Sequence, residues 1–327
     1  MREIHRTDEC LADITRRGSL SKNVYRSTVD LRCPECHTAI VGAACQMCGF
    51  CIMVRQDIAY ALPPHRAAHY AQFVADYERI RAAEGRGSQE DEYYLGLPYA
   101  DKTAKNSHQW RIRARSYDCL MERALQPLGG RGNVLDLGAG NCWMSFRLAL
   151  AGYDPVAVDL LTNDRDGLGA GAHYQKHLSR MFPRLQAEAT NLPFQNAQFD
   201  AIIFNASFHY AEDYEAVLRE ALRCLKLGGV VIICDTPWYS HVESGERMVA
   251  ERQALFLAKY GTASNTICSQ EFLTDDRLQA LEKQLSIQWK TYHPKFGLKR
   301  AMRPWLAKIR GKREPSRFRI YVAKKYA

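Results

Sequence analysis

The stretch that decides the fold is Val134-Leu135-Asp136-Leu137-Gly138-Ala139-Gly140-Asn141-Cys142-Trp143. It has the pattern of a short apolar strand, a glycine turn and the start of a helix that ends before Gly152. A glycine turn lets the backbone approach a ligand closely, and the N–H groups at the helix start point towards that ligand. The stretch therefore predicts a ligand site where the first strand of an α/β sheet ends.

Strand and helix patterns alternate along the rest of the chain. Further strands are predicted at residues 156–159, 184–189, 201–204, 230–234, 287–293 and 318–323. Helices are predicted at residues 67–81, 109–125, 142–151, 213–225, 246–260 and 275–285, and Gly228-Gly229 is predicted to turn the chain. Such alternation is typical of a parallel sheet with helices on both faces. The predicted fold class is α/β, with a doubly wound Rossmann-like sheet.

Two acidic residues and a tryptophan indicate which ligand the glycine turn holds. Asp159 follows Gly138 by 21 residues, at the end of the second strand, where a carboxylate can accept both hydroxyls of a ribose. A dinucleotide site shares this layout, but Trp143 stands where its third glycine would be. Asp136 would repel a pyrophosphate, whereas it suits the sulfonium and amino group of S-adenosylmethionine. The pattern therefore favours S-adenosylmethionine over a dinucleotide.

Four blocks of the chain carry a resemblance to a known family. They are residues 135–140, 157–159, 188–194 together with 199–203, and 220–229. In this order they resemble the class I S-adenosylmethionine-dependent methyltransferases, in particular the family around the ubiquinone/menaquinone-type enzymes. The blocks span about a third of the chain. The resemblance implies a Rossmann-like methyltransferase sheet and S-adenosylmethionine as the cofactor.

The resemblance also implies a set of cofactor-binding residues. Asp159 would hold the ribose, and Glu188 stands where an acid usually meets the adenine amino group. Cys142 departs from the family, which often has a third glycine there. The residues expected around the cofactor are Asp136, Gly138, Ala139, Gly140, Asn141, Asp159, Leu160, Glu188, Ala189 and Asn205.

Two cysteine pairs near the N-terminus predict a metal site. Cys33-Pro34-Glu35-Cys36 and Cys45-Gln46-Met47-Cys48 are C-x2-C motifs separated by eight residues, so Cys33, Cys36, Cys45 and Cys48 can offer four thiolates to one Zn²⁺. A redox dithiol and buried free cysteines are the alternatives, and Cys51 or His37 could replace one ligand. Residues 31–64 resemble the small zinc domain that activates several RNA and protein methyltransferases, and the zinc module of some ribosomal RNA guanine methyltransferases.

The sequence predicts three regions. Residues 1–64 form an N-terminal segment with a small zinc-ribbon-like domain, which ends at Leu62-Pro63-Pro64 because this pair of prolines cannot continue a helix or a central strand. Residues 65–130 form a helical linker or cap. Residues 131–327 form the methyltransferase domain, with a basic insertion at 295–317 before the last strand.

The acceptor side of the predicted site follows the fourth and fifth strands. His209 lies in the segment 204–210, at the sheet edge where ligands bind, and could act as a general base or simply pack. The segment lacks an Asn/Asp-Pro-Pro-Tyr block, which disfavours methylation of an exocyclic base amino group. The acceptor pocket is expected to be built with the help of Asp235, Pro237, Trp238 and the segment 246–274.

Composition and targeting patterns are those of an ordinary globular protein, with 46% hydrophobic and 25% charged residues. No apolar run is long enough for a transmembrane helix, and the first 17 residues lack the apolar core of a secretory signal. Eleven cysteines without such a signal indicate a reducing compartment. The expected location is cytoplasmic.

The net charge of +9 comes from the C-terminal end. Residues 299–327 contain eleven Lys/Arg and one acid, while the other 298 residues contain 34 bases and 35 acids. Apolar residues recur there at helical spacing: Leu298, Met302, Trp305, Leu306 and Ile309. This apolar side either packs on the sheet, with its charges solvated, or belongs to a surface that draws an anionic membrane or RNA to the site.

The sequence as a whole favours an S-adenosylmethionine-dependent methyltransferase that acts on a small-molecule or lipid-linked acceptor. One alternative is an RNA methyltransferase that uses the zinc domain and the basic tail. Another is a protein that binds the cofactor as an adaptor without catalysis.

Overall fold

A nine-stranded sheet forms the centre of the molecule in the computed structural model, which describes residues 29–326. The first 28 residues of the predicted N-terminal segment lie outside the described residues. In chain order, the strands β1 to β9 are Met53–Arg55, Ile58–Tyr60, Asn133–Leu137, Asp154–Asp159, Arg184–Gln186, Phe199–Asn205, Leu225–Cys234, Trp289–Tyr292 and Ile320–Lys324. Their order across the sheet is β1-β2-β5-β4-β3-β6-β7-β9-β8.

The central part of the sheet is parallel, as the alternating pattern predicts. Strands β5, β4, β3, β6 and β7 run in the same direction, and β2 joins this set beside β5. Both edges are antiparallel, through the β1–β2 pair and through β9 between β7 and β8. The predicted α/β fold is confirmed, with antiparallel edge strands in addition.

Nine α-helices surround the sheet within residues 29–326. In chain order, α1 to α9 are Pro64–Ala83, Asp91–Gly96, Ser107–Leu120, Trp143–Leu150, Tyr214–Cys224, Val242–Tyr260, Asp275–Leu285, Leu298–Ala301 and Arg303–Ile309. The pair Pro63-Pro64, predicted to end a domain, begins α1, because proline is favourable in the first turn of a helix. No helix of this part of the chain is long and apolar enough to cross a membrane.

The predicted turn at Gly228-Gly229 is wrong. Strand β7 runs through both glycines from Leu225 to Cys234, and its register against β6 shifts between Phe199 and Ala201. Gly228 has a φ of +80°, which bends the strand without ending it. A glycine pair is therefore compatible with an irregular strand as well as with a turn.

The two faces of the sheet bury separate apolar clusters. Neighbouring residues of β3 alternate between them, with Leu135 and Leu137 in one cluster and Val134 in the other. The first cluster also takes in Cys33 and Ile52 from the cysteine-rich segment. This segment therefore packs on the same core as the sheet, although the predicted division at residue 64 separates them.

Glu220 on α5 joins the cysteine-rich segment to the sheet. Its Oε1 accepts hydrogen bonds from the backbone N–H of Leu192 at 2.7 Å, from Arg32 at 2.9 Å and from Arg223 at 2.7 Å. The carboxylate is buried, so its three donors have little access to water. Glu220 therefore holds the loop after β5 against α5 and the cysteine-rich segment.

We expect Glu220→Ala to lower the free energy of unfolding by about 3 kcal/mol, because it removes the carboxylate from two partly buried guanidinium groups and leaves the buried N–H of Leu192 without its acceptor. Urea denaturation at neutral pH measures the loss. Glu215→Ala is the matched control on the same helix, since Glu215 makes only a surface pair with Arg219 and should cost less than about 1 kcal/mol. Equal losses in the two variants would contradict the role of Glu220.

Candidate cofactor and active site

All the residues expected around the cofactor line one cavity at the carboxyl edge of the parallel strands. They are Asp136, Gly138, Ala139, Gly140, Asn141, Asp159, Leu160, Glu188, Ala189 and Asn205. They come from the ends of β3, β4 and β6 and from the loop after β5. The structure thus brings the predicted set together, while their roles towards a cofactor stay predictions.

The glycine turn after β3 is shaped by its close neighbours. Gly138 has a φ of +75°, and a Cβ there would lie 2.2 Å from the Cβ of Ser207. The N–H groups of Gly138 and Ala139 both donate to Val158 O, at 2.8 and 3.1 Å. Only glycine fits at residue 138, so the turn is fixed against β4 and the end of β6.

Cys142 adopts a left-handed conformation just before α4, with a φ of 62°. Glycine adopts this region without strain, which gives a physical reason for the third glycine common at this position in the resembled family. The cysteine is fully buried, and burial raises the pKa of its thiol. Cys142 is therefore a packing residue of the turn.

Asp159 is held at the end of β4 by two backbone groups. Its Oδ2 accepts from Gly140 N at 2.7 Å and its Oδ1 from Leu161 N at 2.8 Å. Burial raises the pKa of the carboxyl to about 6, although these N–H groups favour its ionised form. Each oxygen keeps a lone pair, so the carboxylate can still accept the two hydroxyls of a ribose.

Asp136 has one oxygen without a partner. Oδ2 accepts from Ser145 Oγ at 2.8 Å, whereas Oδ1 is buried and has no hydrogen bond within residues 29–326. Burial raises the pKa of this carboxyl to about 7. A carboxylate in this setting favours a cationic or hydrogen-bond-donating ligand.

Glu188, the residue expected at the adenine end, is paired with α1. Arg66 donates to both carboxylate oxygens, at 2.7 to 2.9 Å, and Tyr70 and Thr190 donate to Oε2 at 3.1 and 3.0 Å. These donors fix the orientation of the carboxylate. Arg66 was not singled out by sequence reasoning, because a lone arginine at a helix start carries no signal.

Helix α1 forms a roof over the cavity. Its residues Tyr70, Phe73, Tyr77 and Arg81 all line the cavity and recur at helical spacing on one face. Arg81 also forms an ion pair with Asp166, which lines the same cavity. Sequence reasoning missed this aromatic face, although its spacing is visible in the sequence and could have indicated a ligand-covering helix.

His209 is buried and lies outside the group of residues that line the cavity, unlike its neighbours Phe208 and Tyr210. Burial lowers the pKa of its imidazole to about 4, so the ring is neutral at neutral pH. Its role as a general base stays a prediction, and its position is that of a packing histidine.

The expected acceptor-pocket residues are only partly at the cavity. Asp235 is buried and accepts from Ser116 Oγ at 2.5 Å, away from the cavity wall. Trp238 packs in the core. From the segment 246–274, Ile267 reaches the cavity.

The four predicted zinc ligands converge. Their Sγ atoms lie within 4.8 Å of one another, including Cys33–Cys48 at 3.5 Å and Cys36–Cys45 at 3.4 Å. A tetrahedral Zn²⁺ with Zn–S bonds of about 2.3 Å separates its sulfurs by about 3.8 Å, so the cluster fits this ion. His37 and Cys51, the suggested substitutes, are not part of this group of four in the described chain.

Residues 135–233 match the family model described as a methyltransferase domain. A demethylmenaquinone methyltransferase of Mycolicibacterium gilvum is 36% identical over 112 residues, which are 34% of this chain and 45% of the relative. One of Clavibacter sepedonicus is 28% identical over 172 residues, 52% of this chain and 64% of the relative. The chain thus spans about half to two thirds of the length of these relatives.

Solved structures give matches of lower identity. A chain described as a putative sarcosine dimethylglycine methyltransferase from Galdieria sulphuraria matches with a TM-score of 0.48 and 16% identity, over 65% of this chain and 86% of that one. The four sequence blocks, between residues 135 and 229, all lie within the residues that the family model matches. Residues 135–233 therefore form a class I S-adenosylmethionine methyltransferase domain.

Proposed function

We propose that the protein is an S-adenosylmethionine-dependent methyltransferase that acts on a small-molecule or lipid-linked acceptor. The observation that carries the proposal is the single cavity that gathers the glycine turn, Asp136, Asp159 and Glu188. The relatives named as demethylmenaquinone methyltransferases support a ring-containing acceptor. Neither the cavity nor the named relatives support the two alternatives from the sequence, which are an RNA methyltransferase and a non-catalytic adaptor.

Three acidic residues of the cavity would bind different parts of the cofactor. Asp159 would accept the ribose hydroxyls, Glu188 would face the adenine, and Asp136 would face the cationic end of the cofactor. When bound, S-adenosylmethionine supplies a methyl group on an already activated sulfonium. The protein then needs mainly to align the acceptor atom and keep water out.

The roof favours a small acceptor. Tyr70, Phe73 and Tyr77 of α1 cover the cavity, and Tyr210 meets them, with ring centroids 5.9 Å from Phe73 and 5.6 Å from Tyr77. A cavity covered by aromatic rings suits a flat apolar group and excludes water. A folded RNA would need this roof to move aside.

We expect Asp159→Ala to weaken binding of S-adenosylmethionine or S-adenosylhomocysteine by roughly ten- to a hundredfold, because charge-assisted bonds to the ribose contribute about 1.5–3 kcal/mol. Isothermal titration calorimetry measures the change. Asp164→Ala is the control, since Asp164 is exposed five residues further on. Unchanged affinity in a folded Asp159→Ala variant would mean that the ribose-binding acid lies elsewhere.

We also propose that Cys33, Cys36, Cys45 and Cys48 bind one structural Zn²⁺. The converging sulfurs support this, as does the hydrogen bond from Glu35 N to Cys33 Sγ at 3.4 Å, which stabilises the knuckle. Four protein ligands leave no open position for catalysis, so the ion would stabilise the fold. A reducing compartment such as the cytoplasm would keep these thiols available.

Elemental analysis of the protein purified without added metal should give about one zinc per chain. Cys45→Ser should reduce this ratio strongly, because zinc prefers four thiolates to three and a hydroxyl. Cys268→Ser is the control, since Cys268 is exposed and outside the cluster. A ratio near zero in folded wild-type protein would rule out the zinc site.

We further propose that the basic segment around α8 and α9 binds an anionic membrane surface. Most apolar side chains of α8 and α9 face solvent, with Leu298 84%, Trp305 61% and Ile309 63% exposed, whereas Leu306 is half-buried. Their exposure supports this surface over the alternative from the sequence, in which the apolar side packs on the sheet. Exposed Arg303 and Lys308 lie among them. Apolar side chains interspersed with cations suit a lipid interface better than phosphate alone.

We expect the protein to float with phosphatidylcholine vesicles only when they contain phosphatidylglycerol, and binding should weaken with salt. Trp305→Ala should lower partitioning on the order of tenfold, because it removes a large interfacial side chain. Leu255→Ala, an exposed leucine on α6, is the control. An RNA mobility shift without vesicle binding would contradict the membrane surface and favour the RNA alternative.

A further inference from the structure

Arg113 is a cation on the cavity wall, and its guanidinium forms no salt bridge within the described residues. It lies on α3, is largely buried, and lines the cavity. Its guanidinium lies over the ring of Trp110, 4.7 Å from the centroid. Within residues 29–326 it forms neither a hydrogen bond nor an ion pair with a carboxylate. Its donors are therefore available to a ligand.

The other arginines near the cavity are already paired. Arg81 pairs with Asp166, Arg86 with Glu84, and Arg252 binds Glu271 through two hydrogen bonds. Burial, together with the positive charges of Arg86 and Arg81, lowers the pKa of Arg113 to about 10, and the nearby Asp235 opposes this shift without bonding to the guanidinium. Arg113 is therefore still charged at neutral pH. A largely buried guanidinium whose donors form no hydrogen bond favours an anionic ligand.

The position of Arg113 points to the acceptor rather than the nucleotide. Asp159 and Glu188 mark the nucleotide half, at the ends of β4 and β5. Helix α3 instead reaches the opposite half, because Ser116, one turn after Arg113, donates to Asp235 at the end of β7. Arg113 itself interacts electrostatically with Asp235, which follows β7, and with His209, which follows β6. Arg113 therefore lies beside the half of the cavity at the ends of β6 and β7.

We propose that Arg113 binds an anionic oxygen of the acceptor, a carboxylate or phenolate on an aromatic ring. The guanidinium fork can donate two hydrogen bonds to such a group. Tyr77, Trp143 and Tyr210 line the same cavity and would contact the ring. This inference rests on the proposed methyltransferase function and adds the acceptor's charge to it.

The test compares 2-naphthoate with its neutral isostere 2-naphthamide, each titrated into the protein saturated with S-adenosylhomocysteine and followed by ligand-observed NMR. Wild-type protein should bind the acid at least tenfold more tightly than the amide. Arg113→Met should abolish this preference, and Arg113→Lys should keep part of it. Arg111→Met is the control, because Arg111 is exposed on the same helix.

Equal or undetectable binding of the acid and the amide would overturn the proposal, as would a preference that survives in Arg113→Met. A loss of S-adenosylhomocysteine affinity in Arg113→Met, with unchanged affinity for 5′-methylthioadenosine, would assign Arg113 to the cofactor's carboxylate instead. Failure of wild-type protein to bind either nucleoside would refute the proposed function. In that case the naphthoate titration without nucleoside still tests the anion site.

Discussion

The close contact between Gly138 and Ser207 is the constraint on which the site depends. Ser207 lies where any side chain at residue 138 would point, and its Oγ donates to Leu137 O. This contact joins the end of β3 to the end of β6, while the turn itself bonds to Val158 on β4. Three strand ends are thereby held together, and Asp136 near the end of β3 and Asp159 at the end of β4 line one cavity.

The cysteine-rich segment takes part in the same arrangement. Pro34 O, inside the first C-x2-C motif, accepts from Asn191 Nδ2 at 2.6 Å, and Arg32 N donates to Pro193 O at 3.2 Å. Both partners lie in the loop that begins with Glu188. A metal that orders the knuckles would therefore also support the loop at the expected adenine end, so the segment is more than an appended module.

The sequence predicted the parts of this protein whose physics is local. The glycine turn, the apolar parallel strands and the paired cysteines carry their signals within a few residues, and the structure brings each group together. The β1–β2 pair beside β5 and the pairing of Arg66 with Glu188 join residues more than 120 positions apart. No local pattern specifies such contacts. Helix α1 is an intermediate case. The spacing of its aromatic residues is visible in the local sequence, but the cavity that they cover is formed by residues far away in the chain.

The buried acids Asp136 and Asp159 link ligand binding to protons. Their pKa values in the folded protein, about 7 and 6, lie above the value of 3.8 for an exposed aspartate. The folded, ligand-free protein therefore holds more protons than the unfolded chain, and these two groups lower its stability as pH rises from about 4 to 7. A cation bound beside Asp136 and hydroxyl groups that donate to Asp159 would stabilise the ionised acids and offset this cost. Below neutral pH, ligand binding would therefore release protons from these two carboxyl groups. The apparent affinity for the ligand would fall as the pH falls, even though the ligand itself does not titrate in this range.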